Sequence, residues 1–229
     1  MSEDLDRYQE TLSRFGLDGE DLAAWRETDL PEDAFEDWLI DRVARRPSGS
    51  RARRVYGAEG VHDFARSAIL EALALGTDDH LLEVGCGGGL LLRDALRTGC
   101  RATGVDHSDE MVQLARERAP GAEVAVALAE RLPFDQDTFS AVAMSVVFFF
   151  FDDPVAVLRE CRRVLGPDGR LAVYTTAPEL RGTPAAPEPM ASHGHFYTDE
   201  DLGELARTAE FRSVRVGNND GGQLLVARV

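Results

Sequence analysis

The sequence contains no lysine, because all 25 of its basic residues are arginine. This absence excludes two kinds of site that depend on a lysine amine. A phosphate-binding loop of the G-x-x-x-x-G-K-[ST] type uses that amine to reach the β- and γ-phosphates. A Schiff-base enzyme uses it as the nucleophile. A glycine-rich turn in this chain must therefore serve a different ligand or a different chemistry.

Positive charge is also scarce, since 41 acidic residues outnumber the arginines and give a formal net charge of −16 at pH 7. Nucleic-acid binding depends on clustered cations, and anionic membrane surfaces attract the same side chains. We therefore expect neither a nucleic-acid partner nor a membrane partner. One stretch, residues 42–54, is rich in arginine. A linker is the main interpretation of this stretch, and an arm that binds nucleic acid is the alternative.

Cysteine and long apolar runs are sparse as well. The three cysteines, Cys86, Cys100 and Cys161, are odd in number and widely spaced, which fits neither a disulfide framework nor a zinc site. No apolar run approaches the roughly 20 residues of a membrane span, and the chain does not open with a basic and apolar leader. These absences predict a reduced, cytoplasmic protein without a metal site.

The length of 229 residues predicts one α/β domain with a smaller extension. Residues 1–54 are predicted to form an acidic helical extension that ends in the arginine-rich linker, and residues 55–229 the domain. Apolar residues at helical spacing, between Leu5 and Phe15 and between Leu30 and Leu39, indicate that the extension packs on another part of the chain. It is either a solvated helical layer or a lid whose acids attract a cationic substrate.

A glycine-rich turn stands at the centre of the predicted domain. An apolar strand ends in the acid Glu83, and glycines then alternate at Gly85, Gly87 and Gly89 before a helix begins. Glycine permits positive φ and a close approach of a ligand, and the helix start offers free N–H groups. The dinucleotide fingerprint G-x-G-x-x-G needs a small residue where Leu90 stands. The preceding carboxylate suits an ammonium better than a pyrophosphate.

The run Glu83-Val84-Gly85-Cys86-Gly87-Gly88-Gly89 resembles the acid-x-Gly-x-Gly-x-Gly motif of class I S-adenosylmethionine-dependent methyltransferases. The members in question act on small molecules or peptides, and the resemblance extends over about residues 55–229. It implies a doubly wound, Rossmann-like α/β fold with a seven-stranded sheet and an antiparallel last strand. It also implies S-adenosylmethionine as the cofactor. For the motif taken alone, a glycine-rich strand-to-helix turn without this ligand is the alternative.

A second acid, Asp106, ends the next predicted strand, residues 101–106. A carboxylate at this distance from the glycines can accept hydrogen bonds from both ribose hydroxyls, and capping of the following helix is the alternative. The resemblance implies further cofactor-binding residues, namely Tyr56, Cys86, His107, Met111, Ala129, Glu130 and Ser145. Family members often carry an acid where Leu128 stands, so the adenine contact falls to the backbone of Ala129 and to Glu130.

The acceptor side of the site is expected at the end of the fourth predicted strand. Four consecutive phenylalanines, Phe148–Phe151, follow this strand and cannot all face one core. Since the resemblance implies that the strand end faces the transferred methyl group, we expect one or two of them to wall the substrate pocket. The acids that follow, Asp152 and Asp153, fit helix caps better than metal ligands.

A predicted loop over residues 177–192 leads into a His-x-His-x-Tyr set that consists of His193, His195 and Tyr197. An imidazole titrates near neutrality and can act as a general base. These three residues are therefore the candidate catalytic groups. Ordering of the loop ahead of the next helix is the alternative role.

The sequence and the resemblance together predict methyl transfer to a small molecule or short peptide, in secondary metabolism. The acceptor atom and the oligomeric state stay open. One alternative is a protein of the same fold that binds S-adenosylmethionine without methyl transfer, as a cyclase or a regulatory module. An NAD-dependent oxidoreductase would share the sheet and the ribose acid, but Glu83 and Leu90 argue against it.

Overall fold

The computed structural model describes residues 13, 15–17, 19–60, 62–219 and 221–229. The predicted helical pattern from Leu5 to Leu12 lies outside these residues. The described chain forms a seven-stranded mixed sheet that is packed between helices, with a helical layer at its N-terminal end. No helix in these ranges has both the length and the apolar character that a membrane span requires.

The N-terminal layer, which comprises the described residues up to 56, consists of short helices. In chain order these are α1 (Gly19–Arg26), a 3₁₀ turn (Glu32–Ala34), α2 (Phe35–Ile40), a π-helical turn (Asp41–Arg45) and α3 (Gly49–Tyr56). The stretch predicted to be a linker is therefore mostly helical. Its arginines pair with the preceding acids, as in Arg42–Asp21 at 2.7 Å and Arg45–Asp37 at 2.8 Å. The change of charge sign thus supplies ion pairs within one layer.

An aromatic cluster holds the N-terminal layer together and joins it to the rest of the molecule. The ring centroid of Trp25 lies 5.2 Å from that of Phe35 and 5.4 Å from that of Trp38. Phe150 and Met190, which belong to the α/β domain, pack against the same cluster. The N-terminal layer therefore shares a hydrophobic contact with the domain.

The α/β domain alternates helices and strands along the chain. Its elements are α4 (Asp63–Leu73), β1 (His80–Val84), α5 (Leu90–Leu96), β2 (Arg101–Asp106), α6 (Asp109–Arg118), β3 (Glu123–Val126), β4 (Phe139–Ser145), a 3₁₀ turn (Phe148–Phe150), α7 (Pro154–Val164), β5 (Leu165–Thr176), a 3₁₀ turn (Pro178–Leu180), α8 (Met190–His193), α9 (Asp199–Thr208), β6 (Arg212–Asn219) and β7 (Gly222–Arg228). Ser108 caps α6 and Asp153 caps α7 through side-chain oxygens, as short polar residues commonly do.

The strand order β3-β2-β1-β4-β5-β7-β6 places the switch point of the sheet between β1 and β4. Strands β1 to β5 are parallel, and β7 is antiparallel to both β5 and β6. The chain runs outward from β1 to β3 and then returns to the opposite side of β1. In open α/β sheets a ligand binds beyond the carboxyl ends of the strands at this point. The predicted fold class is confirmed.

The sheet is buried on both faces, as the apolar runs of its strands require. Along β1, Leu82 and Val84 belong to one core cluster and Leu81 belongs to the other. The longest strand is irregular at its start. β5 begins at Leu165, and its register against β4 shifts between Phe139 and Ala141 of β4.

Candidate cofactor cavity

A cavity of about 410 Å³ opens at the carboxyl edge of the sheet, at the switch point between β1 and β4. This volume falls in the range of about 300–1,000 Å³ that small-molecule sites occupy. Most of the residues predicted to bind the cofactor line it. They are Tyr56, Glu83, Gly85, Cys86, Gly87, Asp106, His107, Met111, Ala129, Glu130 and Ser145.

The glycine-rich turn forms the floor of the cavity. The N–H groups of Gly85 and Cys86 both donate to the carbonyl of Val105, at 2.8 and 2.9 Å, and so fix the turn to β2. Gly87 has a φ of 48°, and a Cβ at this position would meet no atom within 4 Å. Its backbone therefore faces open space, where a ligand can approach closely.

Gly89 differs from the other two alternating glycines, because it does not line the cavity. It has a φ of 77°, and a Cβ there would lie 2.8 Å from the Cα of Ala115 in α6. Its small size thus allows α6 to pack closely on the turn. Gly89 therefore lies outside the cavity lining, and its contact with the cofactor stays a prediction.

Arg118, at the end of α6, attaches α3 to the glycine-rich turn. Its Nη1 donates to the carbonyls of Tyr56 and Gly88, at 2.8 and 2.9 Å, and its Nη2 donates to the carbonyl of Gly57 at 2.5 Å. Burial lowers the pKa of this guanidinium. The bonds bring the aromatic ring of Tyr56 to the cavity wall, where its hydroxyl donates to the carbonyl of Val43 at 3.1 Å.

Glu83 ends β1 with a side chain that is almost fully buried. The residue is 3% exposed, and its Oε2 has no hydrogen-bond partner. Burial raises the pKa of this carboxyl well above its ordinary value, and the charge of Asp106 raises it further. A buried carboxylate with an unpaired oxygen is costly unless a cation or donor arrives. The position therefore suits the ammonium of an amino-acid ligand.

Asp106 stands at the corresponding position of β2 and is also buried. Its Oδ2 accepts the N–H of Gly87 and its Oδ1 accepts the N–H of Ser108, both at 2.9 Å. Burial raises the pKa of Asp106, and these two backbone donors oppose that effect. Each carboxylate oxygen can accept a second hydrogen bond. The side chain can thus hold the turn and still receive two hydroxyls.

Two residues of the cavity wall near α4, Arg66 and His62, were missed by the sequence analysis. Arg66 is 8% exposed, and it pairs with Asp63 and, through Nε at 3.1 Å, with Asp94. Burial lowers the pKa of His62, and the charge of Arg66 lowers it further. The available signal was an arginine placed next to Ala65 on the apolar face of the helix.

The end of β4 forms the wall that faces the acceptor side. Ser145, Val146 and Val147 line the cavity there. Val146 has a φ of 57°, and its N–H donates to the carbonyl of Tyr174 at 2.8 Å. A β-branched residue in the left-handed region is rare, and such strain concentrates at functional sites.

The four consecutive phenylalanines divide between the core and the cavity. Phe148 and Phe149 are buried in the protein, whereas Phe150 and Phe151 line the cavity. This arrangement gives the acceptor side two aromatic side chains. Neither strand alternation nor helical spacing along this run indicated which two phenylalanines would line the cavity and which two would lie in the core.

The predicted catalytic set does not line the cavity. His193 faces the N-terminal layer, with its Nε2 3.4 Å from Asp37, and the Nε2 of His195 lies 3.7 Å from Asp152. Burial raises the pKa of Tyr197 to about 12. The backbone N–H of His195 donates to the carbonyl of Phe149 at 2.7 Å. These contacts support the alternative role of ordering the loop, and the catalytic role of the three side chains stays a prediction.

The cavity is covered by the roof segment, residues 41–47 of the N-terminal layer. This segment contributes Asp41, Ala44, Arg45, Arg46 and Pro47 to the lining. The sequence analysis raised a lid only as one alternative for the whole acidic extension. In the structure, the part of this extension that lies over the cavity is the roof segment, at the start of the arginine-rich stretch.

Residues 82–173 match the family described as "Methyltransferase domain". A ubiquinone biosynthesis O-methyltransferase of Xanthomonas oryzae is 37% identical over 111 residues, which cover 46% of this chain and 45% of that protein. A demethylmenaquinone methyltransferase of Thermotoga maritima is 33% identical over 115 residues, which cover 49% of this chain and 50% of that protein.

A solved structure of a SAM-dependent methyltransferase from Aquifex aeolicus matches with a TM-score of 0.66 and 22% identity, over 78% of this chain and 96% of that chain. This likeness concerns the fold. The chain spans about half the length of the curated relatives it matches. The matched region agrees with the resemblance to methyltransferases that the sequence carries.

Proposed function

We propose that this chain, which carries a class I S-adenosylmethionine-dependent methyltransferase domain, transfers a methyl group from S-adenosylmethionine to a small molecule. The observation that carries the proposal is the pair of buried carboxylates, Glu83 and Asp106, on either side of the open turn at Gly87. One carboxylate has an unpaired oxygen, and the other keeps the capacity to accept two hydroxyls. This donor and acceptor pattern fits an amino acid joined to a nucleoside.

Each polar end of the ligand has a suitable group on the cavity wall. Glu83 would accept the N–H groups of the ammonium, and Asp106 would accept the two ribose hydroxyls. Arg66, a buried cation that lines the same cavity, would pair with the carboxylate of the amino acid. Ala129 and Glu130 line the cavity and would supply the acceptor that the adenine amino group needs.

When bound, S-adenosylmethionine supplies a methyl group already activated by its sulfonium. Phe150 and Phe151 would stabilise that positive charge with their aromatic faces. The apolar side chains at the end of β4, with Val147 among them, exclude water from the same space. Positioning and desolvation can therefore supply much of the rate acceleration. A general base is needed only where the acceptor must lose a proton.

A small-molecule acceptor is supported by the names of the matched relatives, a ubiquinone biosynthesis O-methyltransferase and a demethylmenaquinone methyltransferase. Those names do not favour a peptide. They also give no support to the expectation of secondary metabolism, and we do not propose it. The acceptor surface combines Phe150 and Phe151 with the side chains of Asp41, Arg46 and Asp152.

Isothermal titration with S-adenosylmethionine, its demethylated product and NAD tests the cofactor. We expect micromolar binding of the two sulfur compounds and no binding of NAD. Asp106→Ala should abolish the binding. Asp109→Ala is the matched control, because this exposed acid in the same region should leave the affinity unchanged. Binding of NAD alone would contradict the proposal and favour an oxidoreductase.

A second experiment separates methyl transfer from mere cofactor binding. The protein is incubated with S-adenosylmethionine and a panel of hydroxylated and amine-bearing aromatic compounds, and both products are quantified. We expect the demethylated cofactor and a methylated acceptor in equal amounts. Tight cofactor binding without turnover across the panel would favour the alternative of a binding protein with the same fold.

A further inference from the structure

The roof segment ends a helical region and leaves backbone carbonyls that need partners. The π-helical turn stops at Arg45, and Arg46 has non-helical angles, with φ −128° and ψ 67°. The last carbonyls of a helix have no partner within the helix. Because the roof segment lies over the cavity, the groups that satisfy these carbonyls also determine how it is held there.

Three side chains of the cavity floor and wall donate to alternate carbonyls of the roof segment. We call these three hydrogen bonds the roof clasp. They run from Tyr56 Oη to Val43 at 3.1 Å, from Ser108 Oγ to Pro47 at 3.0 Å, and from His107 Nε2 to Arg45. Two of the donors, Tyr56 and His107, line the cavity themselves.

The roof clasp is partly shielded from water. Ser108 is 3% exposed, and burial raises the pKa of Tyr56 to about 12, so its hydroxyl keeps the proton that it donates. A buried carbonyl that loses its donor costs more than an exposed one, because water does not replace the bond. Opening of the roof segment therefore has to break a defined set of partly buried bonds, which includes a further bond of 3.3 Å from Arg51 Nη1 to the carbonyl of Val43.

We propose that Tyr56, His107 and Ser108 are positioning residues that hold the roof segment closed over bound cofactor and so limit its rate of exchange. The proposal rests on the proposed function, because the cavity beneath the roof segment is taken to bind S-adenosylmethionine. Closure would keep water from the transfer site, and opening would release the demethylated product. The three donors thereby act on the reaction through the roof segment.

Stopped-flow measurement of the dissociation of the demethylated cofactor tests this assignment. Tyr56→Phe and His107→Phe keep a ring and remove the donor, and each should speed dissociation about five- to tenfold, the effect of one lost hydrogen bond. His107→Gln keeps an N–H donor and should restore a rate near that of the wild type. The KM for S-adenosylmethionine should be raised in the two phenylalanine variants and should lie near the wild-type value in His107→Gln.

A control variant removes a comparable bond far from the roof segment. The hydroxyl of Thr98 donates to the carbonyl of Ala95 at 2.9 Å, and Thr98 does not line the cavity. Thr98→Ala should leave the dissociation rate unchanged. A purely structural effect of losing any such bond would accelerate dissociation in this variant as well, and that result would contradict the proposal.

Limited proteolysis gives a readout that does not depend on activity. Trypsin can cleave this chain only after arginine, because no lysine is present, and the bond between Arg45 and Arg46 lies in the roof segment. S-adenosylmethionine should slow cleavage there in the wild type. The protection should be weaker in Tyr56→Phe, because local opening is easier when its bonds are fewer.

Failure of this proposal can be distinguished from failure of the proposed function. If the wild type does not bind S-adenosylmethionine, the proposed function is overturned together with the role of the roof clasp. If it binds tightly while the two phenylalanine variants dissociate at the wild-type rate, only the roof clasp is overturned. Equal cleavage after Arg45 with and without cofactor would overturn it as well.

Discussion

At the scale of single residues, Glu83 places function and stability in opposition. Its carboxyl is buried, carries an unpaired oxygen and has a raised pKa. Without a ligand such a group destabilises the folded chain, since burial disfavours its charged form. With an ammonium beside it the same group becomes a strong and directional acceptor. The proposed function therefore predicts opposite effects of one substitution on folding and on binding.

Glu83→Gln should raise the free energy of unfolding at pH 7 by about 1 kcal/mol, because the neutral amide avoids the buried charge. The same change should weaken S-adenosylmethionine binding about 100-fold or more through loss of the ion pair. Urea denaturation and isothermal titration measure the two effects. A variant that lost both stability and affinity for S-adenosylmethionine would contradict the proposed role of Glu83.

Glu160→Gln is the matched control for the sign of the stability effect. Glu160 pairs with Arg163 and accepts the N–H of Leu132 at 2.8 Å, and the hydrogen bond to Arg163 lowers its pKa. Its negative charge is therefore favoured in the folded state. The substitution should lower stability slightly, in the direction opposite to that expected for Glu83→Gln.

The stability difference between the wild type and Glu83→Gln should depend on pH. Folded Glu83 holds its proton more tightly than in the unfolded chain, where its ordinary pKa is 4.5. The stability that this proton provides is full below pH 4.5 and is lost as the pH rises toward the folded pKa. Denaturation at pH 5 and pH 8 should therefore show the smaller advantage of the variant at pH 5. An equal advantage at both values would argue against a raised pKa.

At the scale of elements, the glycine-rich turn serves two surfaces at once. Gly87 faces the cavity, where a Cβ would meet no atom within 4 Å. Gly89 faces α6, where a Cβ would lie 2.8 Å from the Cα of Ala115. The alternating spacing is thus one feature of the sequence with two physical roles, ligand approach and helix packing.

Gly89→Ala should lower stability by about 2–4 kcal/mol, from its positive φ and from overlap with the backbone of α6. Gly87→Ala should lower stability by only about 1 kcal/mol, because the positive φ is unfavourable for alanine but the added methyl group overlaps no other atom. It should weaken cofactor binding at least about tenfold, since the methyl group enters the cavity. Urea denaturation and titration of both variants give the comparison. A larger loss of stability in Gly87→Ala than in Gly89→Ala would contradict the assignment of Gly87 to the cavity and of Gly89 to the contact with α6.

At the scale of the whole molecule, Phe150 connects three parts of the structure. It lines the cavity, follows β4 and packs against the aromatic cluster of the N-terminal layer. Its ring centroid also lies 4.2 Å from that of Phe149. The position of the roof segment thus depends on contacts with Phe150, which follows the segment by about 100 residues in sequence.

Phe150→Ala should lower the free energy of unfolding by about 2 kcal/mol, less than for a fully buried phenylalanine because the side chain is only half-buried. It should also speed trypsin cleavage after the arginines of the N-terminal layer. Phe64→Ala, at a residue that is 45% exposed, should cost less than about 1 kcal/mol and leave cleavage unchanged. Equal cleavage rates in the two variants would show that Phe150 does not seat the layer.

The sequence by itself determined the α/β alternation and the floor of the cavity. Both follow from local patterns, because an apolar strand, a glycine-rich turn and an acid at a strand end are each encoded within a few residues. The bounds of β2 equal the predicted range, residues 101–106, for this reason. Parallel strands then bring Glu83 and Asp106 to the same edge of the sheet.

Only the tertiary structure decided the roof of the cavity and its buried cation. The roof segment is held by donors that follow it by 13 to 62 residues in sequence, and no local pattern encodes such pairs. Arg66 faces inward because acids of α4 and α5 neutralise it there. His193, His195 and Tyr197 satisfy a sequence pattern for acid–base chemistry, but packing against Phe148, Asp37 and Asp152 holds them outside the cavity.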